Sequence, residues 1–250
     1  MLSIIIPTLN EEFQINEVLN HLINASSGKF EIEIIIADGG STDRTEEIVA
    51  DFISTIFKPT IKFIRSEKGR ANQMNAGSRE AAGTVLYFLH ADSFPPENFD
   101  ELILDEVKNG NLAGCFKMRF DRDHWWLHLA GWFTKFNWRP CRGGDQSQFI
   151  TRALFDKIGG YDENYAVYED NILINALYER KQFTVIQEEI VTSARLYELH
   201  GVWYTQFHFL MIYIKKRLGT TPEKLAAYHR KKFKLRHKKT KAYTLGVEGK

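Results

Sequence analysis

The amino-acid sequence predicts an α/β protein in which a mostly parallel central sheet is flanked by helices. Strand and helix patterns alternate over the first 90 residues, and the strands are largely apolar on both faces. Strands of this kind are covered by helices on both sides, as they are in a parallel sheet. A short polar loop follows each strand, and such sheets bind ligands beyond the carboxyl ends of their strands.

The elements of the first half are predicted from residue spacing. Apolar, β-branched runs indicate strands at residues 3–7, 32–37, 60–64 and 84–89. Apolar residues with helical spacing indicate helices at residues 11–25, 42–56 and 70–82. This succession of strand and helix is that of linked β–α–β units.

Residues 93–200 have a less regular pattern. The predicted strands of this part lie at residues 112–120, 148–151, 184–187 and 190–193. The predicted helices lie at residues 125–138, 152–158, 169–179 and 202–217. Because no repeat or low-complexity linker separates the two halves, we expect a single domain over residues 1–230, with C-terminal helices at 201–230.

Composition and cysteine usage narrow the class of protein. The 250 residues are 44% hydrophobic and 26% charged, which is ordinary for a chain that folds over most of its length. Cys115 and Cys141 are isolated, so neither a disulfide framework nor a zinc site is predicted, which fits a reducing compartment. The chain shows no signal-peptide pattern and no run of roughly 18 apolar residues. We therefore predict a cytoplasmic protein.

Charge is unevenly distributed along the chain. Thirteen of the 33 Lys and Arg residues, but only two of the 32 acidic residues, lie in residues 215–250. That leaves 20 basic and 30 acidic residues in 1–214. An acidic body followed by a basic segment is typical of an interaction tail, which we place at residues 231–250.

Polar loops follow the first four predicted strands. Their sequences are PTLNEE at 7–12, DGGSTD at 38–43, EKGRAN at 67–72 and HADS at 90–93. Asn10, Ser41 and Thr42 are also residue types that cap helices, so any one loop has a purely structural explanation. Four such loops at one edge of a sheet, with acids and glycines together, favour a nucleotide site.

The motifs in these loops resemble those of a known family. SIIIPTLNE at 3–11 and DGGSTD at 38–43 are similar to the opening of family 2 glycosyltransferases. Four later motifs resemble a small bacterial subfamily named for its association with radical-SAM and selenium-related proteins: GRANQMNAG at 69–77, LHAD at 89–92, TSAR at 192–195 and GVW at 201–203. The resemblance implies a GT-A fold, which is Rossmann-like and binds a nucleoside diphosphate sugar.

The resemblance also implies a donor site along the loops. The carboxylates of Glu11 and Asp38 would accept hydrogen bonds from the nucleoside, and Arg70 would contact a phosphate, with Lys68 as the alternative. The implied donor-binding residues are Pro7, Thr8, Asn10, Glu11, Asp38, Gly40, Gly69, Arg70, Asn72, His90 and Ala91. The expected donor is a UDP- or GDP-sugar, with residues 1–92 as the nucleotide-binding half and 93–200 as the acceptor half.

A metal position is implied after the fourth strand. Members of the family carry Asp-x-Asp there, and its last acid binds Mn²⁺ or Mg²⁺ beneath the diphosphate. Here the three residues are His90, Ala91 and Asp92, so Asp92 is the predicted metal ligand. One carboxylate suffices, because a hard cation also accepts phosphate oxygens and water. His90 either bonds the ribose, ligates the ion or packs, and His200 is a candidate second ligand.

The family resemblance also indicates a catalytic base. Glu169 and Asp170 begin a predicted helix and resemble the family's Glu-Asp pair. Displacement with inversion needs a carboxylate that accepts the proton of the acceptor hydroxyl, and Asp170 is the predicted base, with Glu169 as the alternative. Acids also favour the first turn of any helix because of its dipole, which is the structural explanation of the pair.

The turn GGDQ at residues 143–146 resembles the acceptor side of the family. Gly144 would let the backbone approach a sugar closely, and Asp145 and Gln146 can bond hydroxyl groups. A tight turn before a strand explains the same residues without an acceptor.

The C-terminal region combines apolar and basic residues. The predicted helix at 202–217 ends in three basic residues, and residues 229–241 include eight Lys and Arg. Such a helix either packs on the body or lies in a bilayer interface. For residues 203–241 we favour contact with the body or with an anionic membrane over nucleic acid, because no nucleic-acid-reading module accompanies the charge.

The sequence therefore predicts a metal-dependent inverting glycosyltransferase whose acceptor is a glycan, a lipid or a small molecule. A sugar nucleotidyltransferase is an alternative, but such enzymes carry a glycine-rich basic loop after the first strand, and here that loop is acidic. A module that binds a nucleotide sugar without catalysis is a second alternative. A membrane-embedded processive synthase is disfavoured, because spanning helices and a Gln-x-x-Arg-Trp motif are absent from the sequence.

Overall fold

The computed structural model describes residues 1–233, which form an eight-stranded mixed sheet flanked by helices. The strands are β1 (Leu2–Thr8), β2 (Ile32–Asp38), β3 (Thr60–Arg65), β4 (Val85–Phe88), β5 (Ser93–Phe94), β6 (Ala113–Phe120), β7 (Gln148–Thr151) and β8 (Thr184–Thr192). The helices are α1 (Ile15–Ala25), α2 (Thr45–Thr55), α3 (Arg70–Glu80), α4 (Phe99–Lys108), α5 (Trp125–Phe133), α6 (Arg152–Ile158), α7 (Glu169–Glu179), α8 (Arg195–His200), α9 (Val202–Arg217) and α10 (Pro222–Lys232). The predicted α/β class is confirmed.

The topology of the sheet brings both halves of the chain to one edge. The strand order is β3-β2-β1-β4-β7-β6-β8-β5. β1, β2, β3 and β4 are parallel, so their carboxyl ends meet at the same edge. β7 runs antiparallel to β4 and β6, and β8 is parallel to β6. The start of β7 and the ends of β6 and β8 therefore lie at that edge too.

The central strands are apolar on both faces because successive side chains point to opposite sides of the sheet. Ile4 and Ile6 belong to one buried cluster, together with Val18 of α1. Ile5, between them, belongs to a second cluster with Met74 of α3. Each fully buried side chain of this size stabilises the fold by roughly 1.5–3 kcal/mol. The two clusters hold the helical layers against the sheet.

Several element boundaries differ from those predicted. α1 and α2 begin at Ile15 and Thr45, three or four residues later than expected, because the preceding residues form loops. α5 ends at Phe133, where residue 138 was predicted, and a short 3₁₀ turn follows at Arg139–Cys141. β5, α4, α8 and α10 were not predicted as separate elements.

The two strands predicted at residues 184–187 and 190–193 are one strand, β8. Its register with β6 shifts between two successive pairs, because Phe116 pairs with Ile186 while Lys117 pairs with Glu189. Two extra residues of β8 form a bulge at this point, and they produced the apparent break in the sequence pattern.

The C-terminal helices pack against one another, with α9 contacting both α8 and α10. α9 spans Val202–Arg217, as the sequence predicted. Most of the predicted basic tail at 231–250 lies outside the described residues. Within residues 1–233, no helix is long and apolar enough to cross a bilayer.

Candidate active site

The loops after β1 and β2 are hydrogen-bonded to each other. The backbone N–H of Asn10 donates to Oγ of Ser41, and Oδ1 of Asn10 accepts from the backbone N–H of Thr42, both at 2.8 Å. The interpretation of these three residues as helix caps is wrong, because α1 and α2 begin later and neither has a side-chain cap bond. Their side chains instead fix two loops as one rim at the edge of the sheet.

Asp38 organises the second of these loops. It is 3% exposed, and its carboxylate accepts the backbone N–H groups of Gly40 and Ser41 at 2.9 Å. The hydroxyl of Thr8 adds a longer bond at 3.4 Å. Gly40 has a φ of 91°, a left-handed conformation that favours glycine. Asp38 therefore determines the shape of the loop, and its contact with a nucleoside stays a prediction.

Gln73 of α3 connects the ends of β1 and β2. Its buried side-chain amide donates to the carbonyls of Thr8 at 2.6 Å and Ala37 at 2.8 Å. A Cβ atom on Gly39 would lie 3.0 Å from Cδ of Gln73, so the loop passes close to the amide. Gln73 belongs to the GRANQMNAG motif, which by itself predicts no role for this side chain. The side chain satisfies two carbonyl groups where the strands end.

A cavity of about 820 Å³ lies at the carboxyl edge of the sheet. Charged residues from five segments are among those that line it: Arg70 begins α3, Asp92 follows β4, Asp145 precedes β7, Asp170 lies in the first turn of α7 and Arg195 begins α8. They meet there because the parallel strands end at this edge and β7 starts at it. The volume is typical of a small-molecule site.

The predicted donor-binding residues fall into two groups. Arg70 and His90 line the cavity. The others lie on the surrounding loops, strand ends and the first turn of α3: Pro7, Thr8, Asn10, Glu11, Asp38, Gly40, Gly69, Asn72 and Ala91. Thr8 is 1% exposed and Ala91 is 5% exposed, so their side chains form the floor beneath the loops.

Arg70 lies beside the two acids of α7. Its Nη1 atom is 3.7 Å from Oε1 of Glu169 and 3.9 Å from Oδ2 of Asp170. Both acids line the cavity, but the side chain of Glu169 is 3% exposed and that of Asp170 is 13% exposed. Burial, with the charge of Glu169, raises the pKa of Asp170 to about 8, and Arg70 opposes the shift. A carboxylate with a raised pKa is suited to accept a proton.

Gly144 approaches Asp170 directly. A Cβ atom on residue 144 would lie 1.9 Å from Oδ2 of Asp170. This distance is too short for any side chain at position 144 while Asp170 keeps its position. Gly144 belongs to a short 3₁₀ turn, Gly144–Gln146, just before β7. The sequence predicted that this glycine lets the backbone approach a sugar, and the close contact in the structure is with the candidate base.

Gln146 and Arg142 stabilise the same turn from inside the protein. Both are 2% exposed, and Oε1 of Gln146 accepts from Nη1 of Arg142 at 2.9 Å. Nε2 of Gln146 donates to the carbonyl of Cys141 at 2.8 Å. The predicted contact of Gln146 with an acceptor is not supported by this geometry, because the amide is already bonded. The side chain of Asp145 is 50% exposed and faces the cavity instead.

Arg195 connects the predicted metal position to the first loop. Its Nη2 atom is 3.8 Å from Oδ2 of Asp92, and its Nη1 atom is 3.4 Å from Oε2 of Glu11. Burial raises the pKa of both carboxyls, while the charge of Arg195 lowers it. Arg195 belongs to the TSAR motif, which by itself predicts no role for this side chain. Arg195 follows β8 in the sequence. This position indicates a site residue only once the pairing of β8 with β6 shows that β8 ends at the carboxyl edge of the sheet.

His90 is a neutral imidazole at the cavity wall. Burial, with the positive charge of Arg70, lowers the pKa of His90 to about 3. Its Nδ1 atom is 3.9 Å from Oδ1 of Asp145, so this is a contact between an uncharged ring and a carboxylate. A neutral ring has one N–H donor and one free nitrogen, so a ribose contact, ligation of an ion and packing all stay predictions for His90.

Asp92 offers one carboxylate on the cavity wall, which fits a divalent ion that takes its other ligands from a diphosphate and from water. Among residues 1–233, no three His, Cys, Asp or Glu side chains are grouped so as to hold an ion. The carboxylate of Asp92 is 24% exposed on the cavity wall, and burial, together with the charge of Asp145, raises its pKa, while Arg195 lowers it. A cation would offset this crowding of carboxylates and take phosphate and water oxygens as further ligands. His200, the candidate second ligand, packs instead against Tyr204 and Phe233.

The mixed eight-stranded sheet flanked by helices belongs to the GT-A class of fold, as the similarity to solved glycosyltransferase structures shows. Mannosyltransferase PcManGT from Pyrobaculum calidifontis, solved with GDP-Man and Mn²⁺, is similar to this chain with a TM-score of 0.64 and 19% identity. The similarity covers 84% of this chain and 61% of that protein. The model of glycosyl transferase family 2 matches residues 3–174, and the chain belongs to this family.

Two curated relatives show how much of the chain is shared. The probable glycosyltransferase YdaM of Bacillus subtilis strain 168 is 26% identical over 227 residues, which cover 82% of this chain and 53% of YdaM. The PGL/p-HBAD biosynthesis glycosyltransferase of Mycobacterium bovis strain BCG is 31% identical over 175 residues, covering 68% of this chain and 66% of that protein. The chain thus spans about half the length of the first relative and two thirds of the second.

Proposed function

We propose that the chain is an inverting glycosyltransferase that moves a sugar from a nucleoside diphosphate sugar to an acceptor hydroxyl. One observation carries the proposal: Asp92 and Asp170 line the same cavity, together with Arg70. Transfer needs one group that holds the diphosphate and another that accepts a proton from the acceptor, on either side of the sugar. Asp92 and Asp170 are suited to these two tasks.

The donor is proposed to lie along the rim formed by the loops after β1 and β2. Glu11 and the backbone of this rim would hold the nucleoside of a UDP- or GDP-sugar, with Pro7, Thr8 and Asp38 at the strand ends beside it. The diphosphate would then reach Asp92, because Arg195 already spans the distance from Glu11 to Asp92. Arg195 is placed to offer its guanidinium to the phosphates.

Asp170 is the proposed base. The acceptor oxygen forms a bond to the anomeric carbon while the bond from that carbon to the diphosphate oxygen breaks, and Asp170 takes the hydroxyl proton. One displacement of this kind inverts the configuration. Glu169 is the alternative base, but its deeper burial beside Arg70 supports a positioning role.

A divalent ion at Asp92, when bound, would neutralise charge on the departing diphosphate, which is worth several kcal/mol in such reactions. Three residues of the chain would contribute at the position of this ion. Asp92 offers an oxygen ligand, and Arg195 and Arg70 supply positive charge at the cavity wall. Mn²⁺ and Mg²⁺ are the proposed ions, because both accept carboxylate and phosphate oxygens.

The test is a panel of UDP- and GDP-sugars with Mn²⁺, read as thermal stabilisation and as release of the nucleotide. We expect one donor to stabilise the chain and to be hydrolysed slowly. Asp170→Asn should reduce turnover roughly 10²–10⁴-fold while donor binding persists. Asp92→Asn should weaken binding of the donor with Mn²⁺.

The proposal fails if no donor binds with metal present, or if both variants keep full activity. Donor binding without turnover by the native chain would favour the non-catalytic module instead. Unchanged circular dichroism is the control for folding in each variant.

We also propose that residues 1–230 work as one unit at the cytoplasmic face of a membrane, and that residues 203–241 contact anionic lipid. The basic end of α9, Lys215, Lys216 and Arg217, supports the lipid contact. Residues 234–241 lie outside the described part of the chain. Membership of the subfamily associated with radical-SAM and selenium-related proteins stays a prediction from the motifs.

A further inference from the structure

Helix α9 exposes its apolar side. Trp203, Phe207, Leu210 and Ile214 follow one another at steps of four, three and four residues, so they lie along one side of the helix. They are between 38% and 58% exposed. The buried side chains of α9 are Thr205, His208 and Ile212. Val202 and Phe209 of α9 pack against the buried cluster, so the helix is apolar toward the core and toward solvent, whereas a surface helix normally has a polar outer side.

Helix α5 has the same arrangement and lies next to α9. Trp125, Leu129, Trp132 and Phe133 are between 38% and 62% exposed. The ring centroids of Trp125 and Trp203 are 5.9 Å apart, so the exposed rows of the two helices meet. We call these eight residues of α5 and α9 the apolar face. An exposed apolar surface of this extent marks an interaction site.

The cavity of the proposed active site opens at the apolar face. Leu210 belongs to the face, lines the cavity and is 56% exposed. Leu199, at the end of α8, also lines the cavity and is 51% exposed. Further along the cavity wall, Phe120 and Phe233 are buried. The cavity therefore has apolar walls at its mouth and Asp170 at its charged end.

The residues around the apolar face favour a bilayer as its partner. Neither α5 nor α9 contains an acidic residue, and α9 ends in three basic residues. Nζ of Lys135 lies 3.8 Å from the ring centroid of Trp132. Tryptophan with flanking Lys and Arg is the composition of elements that lie in the headgroup region of an anionic bilayer.

We propose that the acceptor is a hydroxyl-bearing lipid, which enters the cavity from a bilayer on which the apolar face rests. This inference rests on the proposed transfer activity and names its acceptor class. The apolar walls would hold the hydrocarbon, and the lipid hydroxyl would reach Asp170. At the charged end of the cavity, Asp145, Glu169 and Asp170 surround Arg70. These carboxylates would repel the phosphate of a phospholipid acceptor, so a neutral lipid hydroxyl fits this end better.

Vesicle sedimentation tests the bilayer contact. We expect the native chain to bind vesicles of phosphatidylcholine and phosphatidylglycerol, and binding to weaken in high salt. Phe207→Glu and Leu210→Glu should each lower the partition coefficient about tenfold, since each removes one inserted apolar side chain. Phe57→Glu is the matched control, because Phe57 is 98% exposed in the loop before β3, at the other edge of the sheet.

A labelled donor tests the acceptor in the same vesicles, with dioleoylglycerol added as the hydroxyl lipid. We expect label in the organic phase with the native chain and with Phe57→Glu, and at least about tenfold less with Phe207→Glu. Nucleotide release in the absence of vesicles measures the proposed function separately, and Phe207→Glu should leave it unchanged, because Phe207 belongs to the apolar face but does not line the cavity. Nucleotide release without vesicle binding, or without label in the lipid, would overturn the inference while leaving the transferase intact.

Discussion

Oδ2 of Asp170 occupies the space that a side chain on residue 144 would need, since a Cβ atom there would lie 1.9 Å away. Gly144→Ala must therefore push the carboxylate of Asp170 aside or move the turn. A displacement of about 1 Å at a reacting group can cost roughly 100-fold in rate. We expect kcat to fall by at least tenfold in steady-state assays, while donor affinity, measured by calorimetry, changes little.

Gly143→Ala is the matched control for this substitution. Residue 143 has an extended backbone, and a Cβ atom there would have no neighbour within 4 Å. This variant should keep native kcat. If kcat fell equally in the two variants, the cause would be distortion of the turn and not displacement of Asp170.

The activity should depend on pH through Asp170. A base must be unprotonated to act, and burial with the charge of Glu169 raises the pKa of Asp170 to about 8. kcat/KM should therefore rise with pH and level off above this pKa. Arg70→Gln removes a positive charge that lowers the pKa, so the inflection should move to higher pH. A profile that stays flat across the neutral range would contradict the assignment.

The raised pKa of Asp170 also predicts that the stability of the fold depends on pH. In the unfolded chain Asp170 ionises near its ordinary pKa, whereas in the folded chain it holds its proton to higher pH. The unfolded state binds fewer protons over this interval, so this residue lowers the stability as the pH rises through it. Asp170→Asn should raise Tm at neutral pH, and the difference should disappear in acid. Calorimetry across this pH range measures it, and a lower Tm at neutral pH would refute it.

Arg195 should contribute to nucleotide binding independently of metal. Its guanidinium lies within 4 Å of both Glu11 and Asp92, at the position expected for the diphosphate. Arg195→Gln should weaken binding of UDP or GDP about tenfold without metal, since a charge-assisted bond is lost. Titration calorimetry measures the change. Lys29→Gln, which removes an ion pair with Glu101 far from the cavity, should bind the nucleotide as the native chain does.

Arg142 should be needed for folding. Its guanidinium is buried and donates to the carbonyls of Thr134 and Phe136 as well as to Gln146. Arg142→Met leaves these acceptors without a donor and should lower the free energy of unfolding by about 3 kcal/mol. Urea denaturation measures this loss. Arg79→Met is the control, because the side chain of Arg79 is 67% exposed. The free energy of unfolding of this variant should be close to that of the native chain.

Local patterns were sufficient to predict most of the sheet and several helices. β1 and β2 were predicted to within one residue at each end. Each is a short, β-branched apolar run, which is typical of a buried strand. α6, α7 and α9 begin and end as predicted. The loops after the parallel strands were also expected at one edge, since parallel pairing alone requires it.

The remaining features depend on contacts between distant residues. Asn10 looked like a cap because its partners, Ser41 and Thr42, lie some 30 residues away along the chain. Arg195 was not recognised because its place depends on the pairing of β8 with β6, which no local pattern encodes. Gln146 was predicted at the acceptor because the burial of Arg142 beside it cannot be read from the turn sequence.

β7 has hydrogen-bonded partners on both sides, β4 and β6. Asp92 follows the first of these partners, and the turn that touches Asp170 leads directly into β7. The spacing between the two sides of the cavity therefore depends on a ladder of main-chain hydrogen bonds. Because the C-terminal helices lie outside this ladder, we expect substitutions in them to alter substrate preference while the distance between Asp92 and Asp170 stays the same.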